Sequence, residues 1–303
     1  MSGFAHISGE QESSLNLAAA RRKQERLLTR LRELPSLLVA FSGGADSAYL
    51  AWAGHCALEV RALAVTALSP SFSAYDRTQA EAFVRHTGLR HEFIRTREME
   101  NLLYVANSPD RCYYCKSELF TELDFIAAQR RFAAVAYGIN SDDTRDFRPG
   151  HRAATEHKVL APLLEVGLSK PEIRALSREA GLPTWDRPAS ACLSSRIPYG
   201  TAVTPEALAR VEASEAVLRE MGFRQFRVRY YGDHARVEIA QAELPRALAP
   251  EFHRALARRF LPIGFRSVEV DRRGYRQGAL NEDLRNSLEQ PEVSLRMEKT
   301  GEA

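Results

Sequence analysis

The chain has 303 residues, 45 % hydrophobic and 27 % charged, which fits a soluble globular protein of one large or two modest domains. Its 42 basic and 39 acidic residues leave a net charge of only +3, which excludes a global polycation for nucleic acid and leaves local arginine clusters to hold phosphate groups. No apolar run spans a bilayer and Met1–Glu12 carries no signal core, so a cytoplasmic protein is expected, its four cysteines serving metal or redox chemistry rather than disulfides.

Residues 1–14 are expected to form a flexible tail. Leu17, Leu27, Leu28, Leu31 and Leu34 over a basic background predict an amphipathic helix from 15 to 34. Pro35 to Phe41 predicts a buried strand, and the small, apolar stretch from Ser47 to Cys56 predicts a helix with Cys56 in the core. Between them lies Ser42-Gly43-Gly44-Ala45-Asp46-Ser47. Glycines at a strand-to-helix turn let bare backbone N–H groups face a ligand, and the helix start adds its positive dipole end. This is an anion cradle, and phosphate is the expected anion. No lysine follows the glycines, so the charge must be met by backbone, Ser42, Ser47 and a divalent metal near Asp46.

Further along, strands are predicted at 59–66, 91–95 and 132–138, with helices at 76–87, closed by Gly88, and 116–131. That alternation predicts an α/β fold with a parallel sheet and right-handed crossovers. Ligands then bind beyond the carboxyl ends of the strands, where Ser42, Thr66 and Gly138 fall. A composition shift near Trp185 precedes a helix at 211–221, strands at 226–230 and 235–239, a helix at 244–260 and a strand at 266–270. The αββαβ order predicts a small α+β domain. The expected domains are therefore 15–186 and 187–275, with a flexible tail at 279–303.

Three stretches carry chemistry. Cys112 and Cys115 can grip one metal centre from a single turn, a spacing that suits zinc, a redox couple or a cluster. The flanking Arg111 and Lys116 are expected to favour thiolates. Cys192 sits in a loop rich in Pro, Ser and Gly, beside Ser195 and Arg196. Arg196 is placed to lower its pKa or to hold an anion, so Cys192 is a candidate nucleophile or ligand. With Cys112 and Cys115 it makes three thiols, one short of a full tetrathiolate. In the third stretch, after Gly138, Asp142 and Asp143 are candidates for Mg²⁺ or ribose, and Arg148 for a phosphate or substrate carboxylate.

The string SGGADS between strand and helix resembles the pyrophosphate loop of the ATP pyrophosphatase (PP-loop) superfamily, whose fold is adenine nucleotide alpha hydrolase-like. The resemblance implies ATP as cosubstrate, with Ala40, Ser42, Gly43, Gly44, Asp46, Ser47, Thr66 and Gly138 around it and Mg²⁺ on the leaving pyrophosphate. Beyond that loop, DRCYYCKSELF, GINSDDTRDFRPG, APLLEVGLSKPEIR, GLPTWDRPASACLSSRIPYG and RVRYYGDHARVEI resemble the LarE sulfur transferases over roughly residues 15–275. This implies adenylylation of the carboxylates of pyridinium-3,5-biscarboxylic acid mononucleotide and their conversion to thiocarboxylates, on the way to the nickel-pincer nucleotide of lactate racemase.

Some LarE proteins carry only the cysteine matching Cys192 and give up its sulfur, whereas others carry three cysteines and a 4Fe-4S cluster. Cys112, Cys115 and Cys192 place this chain with the second group by resemblance. Asp46, Cys192 and Arg196 are then the expected catalytic residues, and Lys116, Asp142, Asp143, Arg148 and Ser195 the expected substrate and phosphate contacts. Family carry-over adds Glu215 as a metal ligand, Arg227 and Arg229 as phosphate contacts, and a homo-oligomer, by resemblance a hexamer. The small-molecule nucleotide is the expected partner, with no membrane and no nucleic acid. The alternatives are a PP-loop tRNA thiolase, which would need a basic RNA-binding face, another adenylylating ligase, and a nucleotide-binding storage or regulatory module without turnover.

Overall fold

The computed structural model describes residues 15–145, 149–188 and 191–276. The expected tails at 1–14 and 279–303, and Arg148, lie outside them. The chain divides after Ala213 into two compact units.

In the first unit, helix α1 (Leu17–Arg32) is opened by Asn16, whose side chain accepts a hydrogen bond from Ala19 N at 2.9 Å. Its buried Ala20, Leu27 and Leu31 fall on one stripe. The chain then alternates: β1 (Leu37–Ala40), α2 (Ala45–Leu58), β2 (Ala62–Leu68), α3 (Ala74–Thr87) and β3 (His91–Arg95). Ser73 caps α3, and Gly88 ends it in the left-handed region at φ +66°. Next come α4 (Leu102–Val105), α5 (Arg111–Arg130), β4 (Ala134–Tyr137), α6 (Pro149–Glu156), α7 (Pro162–Glu165) and α8 (Lys170–Glu179).

The four strands form one parallel sheet in the order β3-β2-β1-β4, with Leu37 paired to Ala62 on one side and to Ala134 on the other. Successive residues of β1 face opposite sides. Leu37, Val39 and Phe41 pack with Leu31, Leu50, Phe83 and Ile173 on one face. Leu38 and Ala40 pack with Phe120, Leu123 and Ala153 on the other. Helices therefore cover both faces, which is why the strands read as unbroken apolar runs. Because β2 and β4 flank β1, strand order reverses there, and the crevice at its carboxyl end is the natural ligand site.

Helix α9 (Pro205–Glu220) leads across the division. The second unit holds β5 (Phe226–Tyr231) and β6 (His234–Ile239), an antiparallel hairpin turned at Gly232, φ +66°. Strand β7 (Ser267–Val270) adds in parallel beside β6. Helices α10 (Leu244–Ala247) and α11 (Pro250–Phe260) lie between β6 and β7 in the chain, and Val228, Val237, Ile239, Leu256 and Phe260 share one core. This is the expected parallel-sheet α/β fold followed by a smaller α+β unit.

Several local expectations change. The helix expected from Lys116 starts at Arg111, which moves Cys112 and Cys115 onto its first two turns. The helix expected over 244–260 is two, because Pro250 has no N–H to continue α10 and instead starts α11. The helices between 149 and 179 were not foreseen. Cys56, expected in the core, is exposed, since it falls on the outer side of α2. No helix among the described residues is long and apolar enough to cross a membrane.

Candidate active site

The loop after β1 is built by its glycines. Gly43 sits at φ +76°, where a side chain would be strained, and Gly44 is the N-cap of α2. The hydroxyls of Ser42 and Ser47 lie 3.0 Å apart. Ser47 Oγ accepts from Ser42 N at 3.2 Å and donates to Gly44 O at 3.1 Å, fixing the turn from inside. Ala40 is buried in β1 immediately before it. Thr66 is buried at the end of β2's hydrophobic run, where its hydroxyl donates to Phe41 O at 2.7 Å and meets His91 Nε2 at 2.9 Å. Its side chain thus ties β2 to the loop.

Asp46, in the first turn of α2, points at the carboxyl edge of β4. Its Oδ2 accepts from Asn140 Nδ2 at 3.1 Å and lies 3.9 Å from Lys170 Nζ, while Oδ1 is buried and has no hydrogen-bond partner. Burial pushes the Asp46 carboxyl above the usual carboxylate range, and Asp143 pushes the same way against Lys170. A buried carboxylate oxygen without a donor suits a cation, so Asp46 fits the expected Mg²⁺. Asp143 is buried and accepts from Asn140 N at 3.2 Å. Asp142 is exposed and accepts from Lys170 N at 2.7 Å, which ties the loop to the start of α8.

Cys112 and Cys115 lie one helical turn apart at the start of α5, so they share a face. Cys192 directly precedes the short helical turn Leu193–Arg196. A polar strap joins the two segments. Buried Arg111 donates to Asn107 Oδ1 at 2.5 Å and Ser194 O at 2.8 Å. Buried Asn107 donates to Pro198 O and Thr201 O, both at 2.8 Å. Tyr104 and Ser194 share a hydroxyl contact of 2.6 Å, and Leu193 N donates to Ser71 O at 2.9 Å. Arg196 is buried, and its Nη1 donates to Ala191 O at 2.6 Å and Cys192 O at 3.0 Å, so it braces the loop backbone. Ser195 Oγ also donates to Cys192 O, at 2.7 Å. Lys116 stands 5.7 Å from the ring centre of Phe120.

Flanking cations do not set the thiols as expected. Burial pushes Cys115 up, and Cys192 and Glu98 push it further. Cys112 reaches solvent but is crowded on most sides; burial and Cys192 raise it against the pull of Arg111. Cys192 thus influences both others, and burial of Arg111 is outweighed by Cys192 and Cys112, which hold its charge. Among the described residues no group of three His, Cys, Asp or Glu side chains is arranged to hold a metal ion. The ligands of a cubane sit on different irons and stand further apart than those of a single ion. Three cysteines on two strapped segments match that donor set in their chemistry.

In the second unit, Arg229 is buried and forks onto Glu238, Nε to Oε1 at 3.0 Å and Nη2 to Oε2 at 2.8 Å. Arg227 is half-buried, donates to Phe226 O at 2.7 Å and lies 5.1 Å from the Tyr275 ring centre. Glu215 is buried, accepts from Val228 N at 3.3 Å and pairs with Arg219 at 3.5 Å.

Sequence reasoning missed Asn107, Asn140, Lys170 and Arg187. Asn107 and Asn140 lie in stretches whose cysteines and carboxylates drew attention first. The cap Ser169-x-x-Glu172, which starts α8 and places Lys170, was legible.

No protein-family model matches the chain. It is 41 % identical over 262 residues to an uncharacterized protein of Synechocystis sp., covering 86 % of this chain and 98 % of that one. It is 26 % identical over 240 residues to an uncharacterized protein of Methanocaldococcus jannaschii, covering 79 % and 90 %. A third relative is the pyridinium-3,5-bisthiocarboxylic acid mononucleotide synthase of Lactiplantibacillus plantarum, 34 % identical over 272 residues, which cover 88 % of this chain and 97 % of that protein. With identity spread over nearly the whole of both proteins, the chain belongs to the pyridinium-3,5-bisthiocarboxylic acid mononucleotide synthase (LarE) family.

Proposed function

We propose that this protein is an ATP-dependent sulfur transferase that adenylylates the carboxylates of pyridinium-3,5-biscarboxylic acid mononucleotide and converts them to thiocarboxylates. The observation that carries the reading is a juxtaposition within one unit. The glycine loop, with the unpartnered Asp46 oxygen behind it, opens at the carboxyl edge of the same sheet where the segments bearing Cys112, Cys115 and Cys192 gather.

A carboxylate resists attack by sulfur because its oxygen leaves poorly. Transfer of AMP makes that oxygen a good leaving group, and the N–H groups of the loop and the start of α2 hold the departing pyrophosphate. Asp46 would hold Mg²⁺, which supplies charge neutralisation on that pyrophosphate. Cys112, Cys115 and Cys192 would hold the 4Fe-4S cluster, which would bind sulfide supplied from solution and present it as the nucleophile that displaces AMP. Arg196, Ser195 and the Asn107–Arg111 strap fix the Cys192 loop, so that sulfur donor and acyl-adenylate share one cleft at high effective concentration. Lys116, Asp142 and Asp143 would be further contacts for phosphate, ribose and metal. Arg227, Arg229 and Glu215 form the anion and metal contacts of the second unit.

The test is pyrophosphate release from ATP with the pyridinium dicarboxylate nucleotide as acceptor, alongside anaerobic iron and sulfide content and turnovers per chain. Release dependent on that acceptor, with many turnovers when sulfide is supplied, is expected. Thiolated tRNA in place of a thiocarboxylate would overturn the reading. A single turnover that leaves Cys192 lighter by H₂S would replace the cluster with Cys192 itself as the sulfur source.

A further inference from the structure

Arg187 lies outside every group assigned above, yet it makes the tightest side-chain contact to the glycine loop. Its Nη1 donates to Gly43 O at 2.6 Å, and its Nη2 donates to Asp76 Oδ1 at 2.5 Å. Both side chains of that ion pair are nearly buried, Arg187 at 10 % and Asp76 at 13 % exposure. Asp76 is held in turn by the helix cap, accepting from Ser73 Oγ at 2.7 Å. On the other side Arg174 Nη2 donates to Arg187 O at 2.6 Å, which anchors the backbone of Arg187 to α8. Arg187 is therefore held at its backbone by Arg174 and at its guanidinium by Asp76.

The consequence follows from peptide planarity. In a trans peptide the C=O and the N–H point in opposite directions. Arg187 draws the Gly43 carbonyl towards α3, so the N–H of Gly44 must face the other way. That N–H lies 3.5 Å from Ser42 Oγ, on the side where the Ser42 and Ser47 hydroxyls meet. A glycine pair is also the backbone least resistant to flipping, because neither residue has a Cβ to bar the alternative. A flipped Gly43–Gly44 peptide would aim a carbonyl oxygen at the bound phosphate and replace attraction with repulsion.

We propose that Arg187 is a positioning residue that latches the Gly43–Gly44 peptide with its N–H towards the anion, with Asp76 as the second point of the latch. The inference rests on the reading that this loop holds the phosphates of ATP. Arg187 also lies five residues before Cys192, so the latch ties the nucleotide loop to the segment that carries the sulfur chemistry.

The experiment measures binding of Mg²⁺-ATP, pyrophosphate and adenosine by calorimetry on the full chain and on R187Q, R187K and D76N. Loss of one charge-assisted donor towards phosphate predicts weakening on the order of tenfold to a hundredfold for ATP and pyrophosphate in R187Q, with adenosine unchanged. R187K should not recover it, because an ammonium lacks the planar fork that spans two fixed acceptors. D76N should weaken ATP in the same direction. Tighter ATP binding in D76N would overturn the latch, since a freed Arg187 would then be touching phosphate itself. Wild-type affinity in both R187Q and D76N, or equal losses for ATP and adenosine, would overturn it too. If R187Q does not fold, D76N decides alone. Failure of the wild-type chain to bind ATP or pyrophosphate would refute the nucleotide reading, and the latch with it.

Discussion

Gly138 at the end of β4 and Ser47 in the first turn of α2 meet backbone to backbone. A Cβ on Gly138 would stand 2.7 Å from both N and Cα of Ser47. That approach closes the crevice beside β1 and sets where the loop N–H groups lie. Gly138→Ala must push α2 away, at a cost of about 1–3 kcal/mol. The variant should melt lower and bind ATP more weakly, as calorimetry and thermal unfolding would show. Unchanged ATP affinity would mean the contact is packing alone.

Asp46 should trade stability for function. Burial raises its carboxyl above the ordinary value, so the folded protein disfavours its charge. A group raised in this way stabilises the fold while protonated, and loses that contribution as pH rises through the folded value. Asp46→Asn is therefore expected to be at least as stable as wild type at neutral pH, with the advantage growing from acid to neutral. Pyrophosphate release should fall on the order of a hundredfold or more. Retained release kinetics would remove Asp46 from the site.

Glu172 ties α8 to α1 and has the opposite sign. Burial opposes its charge, but hydrogen bonds from Lys23 Nζ, 2.7 Å to both oxygens, and from Ser169 prevail and hold it below the usual carboxylate range. Its stabilisation is present above the ordinary glutamate value and is lost as pH falls through the lowered one. Glu172→Gln should cost about 1–3 kcal/mol at neutral pH and progressively less in acid. A deficit that stays constant with pH would show that the capping geometry matters and the charge does not.

The three cysteines should act as a set. After anaerobic reconstitution, serine at Cys112, Cys115 or Cys192 is expected to strip most of the iron. Electron paramagnetic resonance of the reduced protein reads the loss directly. Full iron in Cys192→Ser, with thiocarboxylate formation abolished, would instead make Cys192 the sulfur donor.

The Arg229–Glu238 pair separates folding from binding in the second unit. Arg229→Met leaves a buried carboxylate alone and should cost about 3–5 kcal/mol. Adding Glu238→Leu should restore most of that stability. If the restored double variant keeps its affinity for the nucleotide substrate, Arg229 serves the core and not an anion.

The sequence cues for the proposed site are local. Ser42-Gly43-Gly44-Ala45-Asp46-Ser47 between a strand and a helix is a contiguous cue for an anion cradle, and two cysteines three apart announce a shared face once they lie on a helix. Where α5 begins was less legible, because Asp110, Cys112 and the aromatic pair Tyr113-Tyr114 carry weak helical preference. The choice was made by tertiary packing of Phe120 and Leu123 under the sheet.

By itself, the order of residues determined the alternation of strands and helices, the glycine loop after β1, the three cysteines and the smaller unit that follows. The strands, helices and glycine loop repeat at short period or lie within one turn, so neighbours in the chain are enough to specify them, and the cysteines are read directly off the residue order. Only the tertiary structure decided that Arg187 reaches Gly43 across 144 residues, that Asn107 and Arg111 strap the Cys192 loop, and that an Asp46 oxygen is left without a donor. Each joins segments far apart in the chain. No periodicity reports such a pairing, because it exists only once the sheet has brought its carboxyl edges together.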